Sequence, residues 1–438
     1  MNETLLIQTH SAGGDRFQYL RKLTLMSEGN VDNQANAIID QNIPIIKTVN
    51  YDKKWANLTI LMCTANVGSL FENIDGILPG WLHTFSALVE ECNSHIIALH
   101  MQEVGGKFYE QSMEHVDEFI KELLSLSCFR KYSRYCVFMN TDFTDQTDFT
   151  ALGNVYFISN LLIDVSIWNF RENVYHRLNI PIIYSGNNLL NRYANYHKFE
   201  RSFFPIVKWS RKGFLHTKWR ISNSVISFVN IHLFHDASNF GSIQKNESIY
   251  TKYRSDALQF TIDRLEINDS SQCDMAVFGD FNFRLNAFEF LKDIVGVEVT
   301  EDKIQKNDDC HSKFEITGDT GEVVVIKKKF FSVNKDIDDI FHNNYKEILP
   351  YDMELNAFKD IFNEFKMEFP PSYPYSEDVM DGSSFMNTRC PSWCDRVLLT
   401  HAFIDRVKLT TENKECGRYG MIGQSICMGD HKGSYLII

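Results

Sequence analysis

Met275-Ala276-Val277-Phe278-Gly279-Asp280-Phe281-Asn282-Phe283-Arg284 reads as a buried strand that runs into a carboxylate and an amide. The stretch Met275–Phe283 has strand length and no helical period. A charged group at the end of such a strand is costly unless it is paired, hydrogen-bonded or metal-bound. Gly279 needs only a backbone explanation, and Phe278, Phe281 and Phe283 read as core. Four more apolar runs carry the same punctuation. Leu58–Val67 holds Asn66 near its end, and His95–Glu103 ends in Glu103. Val225–Phe234 contains Asn230 and His232, and Asp395–Thr400 opens on Asp395. Asp430-His431 precedes the last short apolar run. Each of these residues alone is explained as a cap or a satisfied core group. Together they predict one shared cleft.

Between the strands, Val116–Leu126, Tyr253–Ile267 and Ala357–Met367 keep the i, i+3, i+4 spacing of amphipathic helices. Strands and helices alternate, but hairpin-length gaps also occur. The pattern predicts an α+β fold in which two mixed β-sheets pack as a sandwich with helices on the outside, rather than a clean parallel sheet. One large domain is expected over residues 58–438. Residues 1–57 are rich in Asn, Gln, Ser and Asp and keep no period, which predicts an extension or disordered tail. Lys327-Lys328-Lys329 reads as a solvated strand end.

The 438-residue chain carries 44 basic and 57 acidic side chains, a formal net charge of −13. That disfavours a general nucleic-acid binder, and an anionic substrate would need a local basic pocket or a metal. No stretch approaches the roughly 18–20 apolar residues that span a bilayer. Met1–Ser27 lacks a secretory pattern, and ten cysteines are too dilute for a disulfide framework. A reducing, cytoplasmic setting is expected. Cys390, Cys394, Cys416 and His431 lack the CxxC pair that would anchor zinc.

Asn, Glu and Asp are hard oxygen ligands suited to Mg²⁺, and two histidines near carboxylates can face phosphoryl oxygens. The chain has no P-loop, no Gly-x-Ser-x-Gly elbow and no Cys-x5-Arg cradle. Metal-assisted hydrolysis of a phosphate ester, with water as nucleophile, is the inference these residues support.

Gly279–Arg284 and Arg389-Cys390-Pro391-Ser392-Trp393-Cys394-Asp395-Arg396-Val397-Leu398 resemble the two signature motifs of inositol polyphosphate 5-phosphatases. These belong to the deoxyribonuclease-I-like, Mg²⁺-dependent phosphoesterases, with a four-layer endonuclease/exonuclease/phosphatase fold. Thr64-Ala65-Asn66-Val67, Gln102-Glu103, Val229–Leu233 and Gly429–Lys432 follow in the expected order. The resemblance covers roughly residues 58–438. Trp209–Phe214, Val229–Asn239 and Pro370–Asp378 point more narrowly to the type I enzymes. It implies that Glu103, with Asn66 and Asp430, holds Mg²⁺ against the scissile 5-phosphate. Asp280 would orient or deprotonate the attacking water, and Asn282 would donate to a phosphoryl oxygen. His232 and His431 would neutralise the remaining oxygens, with Asp395 holding His431 in its useful tautomer. Arg389, Tyr373, Arg211 and Lys212 would read the other phosphates.

The chain departs from the family pattern in several places. Val277 stands where Trp is usual, a packing change. Lipid-cleaving relatives grip the 4-phosphate with two lysines, where this chain has Pro374, in Ser372-Tyr373-Pro374-Tyr375, and Asn387. Lys432 is followed by Gly433 rather than Pro, and no prenylation box follows Cys427. The resemblance therefore implies a monomeric enzyme that removes the 5-phosphate of soluble inositol 1,4,5-trisphosphate and 1,3,4,5-tetrakisphosphate and ends a calcium signal. It would be cytoplasmic, with peripheral plasma-membrane association in forms that carry a prenyl box. Action on membrane phosphatidylinositol 4,5-bisphosphate is the first alternative. A nuclease of the same superfamily is the second, disfavoured by the net charge, and a non-enzymatic binding module the third.

Overall fold

All five apolar runs become strands at the centre of two sheets. The computed structural model describes residues 58–438, less 145–146, 186–191, 201–203, 205–210, 223, 244–247, 268–273, 295, 297–303, 307–311, 319–320 and 411–416. The expected tail, residues 1–57, lies outside the described residues.

In the first sheet β1 (Ile60–Asn66) lies parallel to β2 (Ile96–Gln102). The order across it is β18 (Arg418–Met421), β19 (Ser434–Ile437), β1, β2, β4 (Gly153–Ile158), β3 (Arg134–Met139) and β7 (Ile182–Ser185). In the second, β10 (Ser224–His232) lies parallel to β11 (Asp274–Asp280), which pairs antiparallel with β17 (Asp395–Thr400). That sheet begins with β16 (Phe362–Glu364), runs through β17, β11 and β10, and ends with β9 (Gly213–Ile221), β5 (Val165–Asn169) and β6 (Val174–Arg177). A short β8 (Asn195–Lys198) adds to β9. The β1–β2 and β10–β11 pairs each need a crossover. The helix Ile74–Cys92 supplies the first and Ile249–Arg264 the second. A third sheet, antiparallel, holds β12 (Ile304–Lys306), β13 (Ser312–Gly318), β14 (Gly321–Lys327) and β15 (Phe330–Val333).

The first two sheets pack face to face, with β1 and β2 against β10, β11 and β17. The expected sandwich with outer helices is what forms. Its interior is apolar but crossed by a polar seam. Asn230 in β10 donates to Met101 O at 3.0 Å and to Asn154 Oδ1 at 2.8 Å, and accepts from Gln102 Nε2 at 2.7 Å. His100 stacks on Phe278 with ring centres 3.6 Å apart. Such bonds between buried groups fix how the sheets sit on each other. Gly279 is required where β10 approaches, because a Cβ there would lie 1.9 Å from Ile231 O.

Two expected helices form as His115–Ser125 and Ile249–Arg264. The third does not. Ala357–Met367 instead contains the end of a 3-10 turn, Glu354–Phe358, and the edge strand β16. The open edge of β17 takes Phe362–Glu364 into antiparallel pairing, a tertiary demand that overrides helical spacing. The pairing also aims Glu364 at Arg396. The helix Ile74–Cys92, with Pro79 inside it, has no counterpart among the expected helices; it buries Trp81, Phe85 and Val89.

Arg396 is the structural half of its motif. Neighbouring strand residues point to opposite faces, so Asp395 faces the cleft and Arg396 faces away. Buried, Arg396 Nη1 meets Asp352 Oδ2 at 2.8 Å and Nε donates to Glu364 Oε1 at 3.0 Å. Arg396→Met leaves two buried carboxylates without a counter-charge. Breaking a buried pair in this way costs about 3–5 kcal/mol, so the variant should unfold at a clearly lower denaturant concentration. An unchanged midpoint would show that the triad contributes nothing.

Candidate active site

Asp280 ends β11 and is the centre of the cleft. Its Oδ2 accepts from Asn66 Nδ2 at 3.1 Å, across from the first sheet, and from Asn282 Nδ2 at 3.0 Å. Its Oδ1 accepts from the Asn282 backbone N–H at 2.9 Å. His232 Nε2, at the end of β10, lies 3.2 Å from Oδ2, and His431 Nε2 lies 3.9 Å from it. Burial alone would raise the Asp280 pKa. The two histidines and Lys212 hold it well below the usual carboxylate range instead.

Asp395 Oδ2 bonds His431 Nδ1 at 2.9 Å and accepts from Ser372 Oγ at 2.8 Å. The imidazole is thereby held by one nitrogen while the other faces Asp280. Burial would lower the His431 pKa, but Asp395 and Asp280 lift it to about 9. At neutral pH it is an imidazolium. Tyr373 packs on the same ring, with centres 4.5 Å apart.

Glu103 follows β2 in the left-handed region, with φ 56°, and Asn282 stands there too at 51°. Non-glycine residues held in that region cost energy and mark sites that the surroundings over-determine. Glu103 Oε2 lies 3.6 Å from Arg211 Nη2, and Oε1 lies 3.7 Å from His232 Nε2 and 4.0 Å from Lys212 Nζ. Burial works against ionisation, yet these cations bring the Glu103 pKa down to about 2. A Cβ on Gly68 would sit 2.8 Å from Glu103 Oε2 and 3.3 Å from Asn66 Oδ1. Only glycine keeps that space clear, and two hard oxygens border it. Glu103 and Asn66 thus fit a divalent cation such as Mg²⁺.

Other groups stand differently. Asp430 Oδ1 accepts from Ser69 Oγ at 2.8 Å, and its Oδ2 faces Lys107 Nζ at 3.5 Å. Lys107 also binds Glu377 at 2.8 Å. No hydrogen bond among the described residues joins Asp430 to Glu103 or Asn66. Asp280, Asp395 and His431 form a second buried group of ligand type, with ligand atoms within 4.8 Å of one another. Asp395 and His431, however, are already bonded to each other there. Lys212, expected to read a distant phosphate, is buried in contact with His232, and burial brings its pKa down to about 8 against the pull of Glu103 and Asp280. Arg211 donates to Gly106 O at 2.7 Å and holds the Glu103 loop. Both cations therefore stand against Glu103 rather than at the rim of the cleft. Arg389 donates to Asn239 Oδ1, Lys328 O and Asp236 O. Pro374 is buried and Asn387 exposed.

Sequence reasoning missed Ser69, Lys107 and Glu377, which are ordinary surface types until the fold gathers them at Asp430. It also left Arg284 without a role. Arg284 Nη2 donates to Asn282 Oδ1 at 2.8 Å, and its guanidinium lies 4.6 Å from the centre of the Tyr373 ring. Position 284 in the motif was the available signal. Asn230, which the strand pattern placed with the cleft residues, belongs to the seam.

Residues 328–435 match the Endonuclease/Exonuclease/phosphatase family 2. Inositol polyphosphate-5-phosphatase A of Rattus norvegicus is 39% identical over 385 residues, covering 86% of this chain and 92% of that protein. The Homo sapiens protein of the same name is 38% identical over 391 residues, with the same coverage. A probable type I inositol 1,4,5-trisphosphate 5-phosphatase of Caenorhabditis elegans is 31% identical, covering 85% of this chain and 97% of its own length. Among solved structures, the 5-phosphatase domain of SPsynaptojanin with inositol (1,4)-bisphosphate and calcium ion shares 13% identity at a TM-score of 0.44, covering 87% of this chain and 83% of that one.

His431 titrates above its ordinary value near 6.5, so the stability it contributes is full below that pH and is lost as pH rises towards about 9. Asp395→Asn removes the carboxylate with the largest share, leaving those of Asp280 and Asp430. In an NMR titration the His431 midpoint should fall by at least about one unit, and stability should lose pH dependence over the same window. An unmoved midpoint would assign the shift to Asp280 and Asp430.

Proposed function

The chain belongs to the inositol polyphosphate 5-phosphatases, and from that premise we propose that it removes the 5-phosphate of soluble inositol 1,4,5-trisphosphate and 1,3,4,5-tetrakisphosphate with Mg²⁺, in the cytoplasm, so ending a calcium signal. It is a phosphoric monoester hydrolase acting on inositol phosphates. The observation that carries the reading is the convergence of Asn66, Glu103, His232, Asp280, Asn282, Asp395 and His431, from the ends of five strands and two loops, at one cleft.

Mg²⁺ held by Glu103 and Asn66 would supply Lewis acidity to the scissile phosphate. The protein's residues do the rest. The His431 imidazolium and the Lys212 ammonium meet charge on the phosphoryl oxygens as it spreads in the transition state. Asn282 is held by Arg284 so that its amide stands beside Asp280. Asp280 can orient the attacking water or deprotonate it. A carboxylate so strongly stabilised in its ionised form is a weak base, which favours orientation. Asp395 and Ser372 position His431.

Action on a membrane phosphoinositide remains a second reading because of one observation. Phe108 and Met380 are 67% and 91% exposed, and the Lys107–Glu377 ion pair joins the segments that carry them. Those segments also border Asp430. Two exposed apolar side chains therefore stand on segments that meet beside Asp430. No described helix is long and apolar enough to cross a membrane.

Phosphate release should be measured on the soluble trisphosphate, on vesicles carrying the lipid bisphosphate and on DNA, with and without Mg²⁺. Release from the soluble compound alone, abolished by chelation, is expected. Equal release from the vesicles would favour the lipid reading. Glu103→Gln should require at least about tenfold more Mg²⁺ for half-maximal rate, and an unchanged requirement would remove Glu103 from the metal site. Asp280→Asn should lower kcat at least about 10²-fold with little change in KM; a change confined to KM would make it a binding group instead.

A further inference from the structure

Asp236 lies four residues beyond β10, within the stretch Val229–Asn239, and only 4% of its surface is exposed. It meets three arginines. Its Oδ1 accepts from Arg254 Nη1 at 3.1 Å, its Oδ2 lies 3.5 Å from Arg284 Nε, and its main-chain O accepts from Arg389 Nη2 at 3.0 Å. The three do not depend on it equally. Arg254 also donates to Glu354, through Nε at 2.7 Å and Nη2 at 2.6 Å. Arg389 also donates to Asn239 Oδ1 and Lys328 O. For the buried Arg284 guanidinium, no other carboxylate among the described residues makes an ion pair. A buried charge without its counter-charge is costly, so Asp236 fixes where this guanidinium lies.

Arg284 in turn decides which way the Asn282 amide faces. A guanidinium has donors only, and an ionised carboxylate has acceptors only. The Asn282 amide stands between the two, with Oδ1 2.8 Å from Arg284 Nη2 and Nδ2 3.0 Å from Asp280 Oδ2. Reversed, it would set oxygen against carboxylate and nitrogen against guanidinium. The arrangement needs holding, because a cavity of about 320 Å³ adjoins Arg284, and Glu354 lines it as well. A guanidinium released from Asp236 has both space and a second carboxylate to turn towards. Its Nη1 has no hydrogen-bond partner among the described residues and does not resist that turn.

We propose that Asp236 is a positioning residue for the hydrolysis, acting through Arg284 to keep the Asn282 amide turned towards Asp280. This rests on the 5-phosphatase reading above and extends its machinery by two side chains, from Asp280 through Asn282 and Arg284 to Asp236. With its donor misplaced, Asp280 orients the water poorly, so the loss falls on kcat. Removing a carboxylate makes the cleft no less attractive to an anionic substrate, so KM should not rise.

The test compares kcat and KM for the soluble trisphosphate in the wild type, Asp236→Asn, Arg284→Met and the double variant. Asp236→Asn should lower kcat about tenfold and leave KM within about twofold. Once Arg284 is gone, Asp236→Asn should cost nothing more, so the double variant should match Arg284→Met. Asp352→Asn is the control, since it removes a buried carboxylate from Arg396 on the side away from the cleft. It should lower the thermal midpoint and leave kcat unmoved. If Asp236→Asn fails to fold, Asp236→Glu takes its place; it keeps the charge, shifts it by one methylene and should lower kcat likewise. An unmoved kcat, a loss confined to KM, additive losses in the double variant or an equal loss of kcat in the control overturns the proposal and leaves the 5-phosphatase reading intact. Failure of the wild type to release phosphate from the trisphosphate overturns both.

Discussion

A buried carboxylate is the constraint from which the rest of this structure follows. Asp280 sits at the end of a central strand, where an isolated charge would be prohibitive. Its ionised form survives because donors reach it from both sheets: Asn66 from β1, His232 from β10, and Asn282 from its own loop. His431 adds positive charge from the loop before β19. Those contacts require the ends of β1, β10 and β11 to lie together, and the polar seam around Asn230 holds the sheets in that relation. Stability and chemistry therefore draw on the same bonds.

Depth along a strand separates the two uses. Asn230 and His232 point to the same face of β10, yet the first is locked between the sheets and the second opens on the cleft. Parity separates them on β17, where Asp395 holds His431 and Arg396 holds Asp352 and Glu364 on the far side. Consecutive residues of one motif thus serve the cleft and the core.

The cations follow the same logic of placement. Lys212 and Arg211 lie against Glu103, where they balance a carboxylate. Arg284 and Arg389 lie on the opposite flank with Tyr373. An acidic chain thereby concentrates positive charge around one small cleft, which is what an anionic substrate requires.

Much of this was legible in the chain itself. Apolar runs ending in Asn66, Glu103, His232 and Asp280 located the strands to within a few residues, because a buried strand tolerates polar groups only where something answers them. The two motifs located the family. Ala357–Met367 was misread as a helix because local spacing carries no information about the open edge of β17, which took part of it as a strand. Asp430 could be named but not placed, since its partners Ser69 and Lys107, and the Glu377 that shares them, are of ordinary surface types and far apart in sequence. Lys327–Lys329 read correctly as an exposed strand end, but a strand end has no address until its sheet is docked. The sequence by itself determined which residues are chemically able to act, because side-chain type and strand period are local properties. Tertiary structure alone decided which of them meet, because distances between strand ends depend on how whole sheets pack.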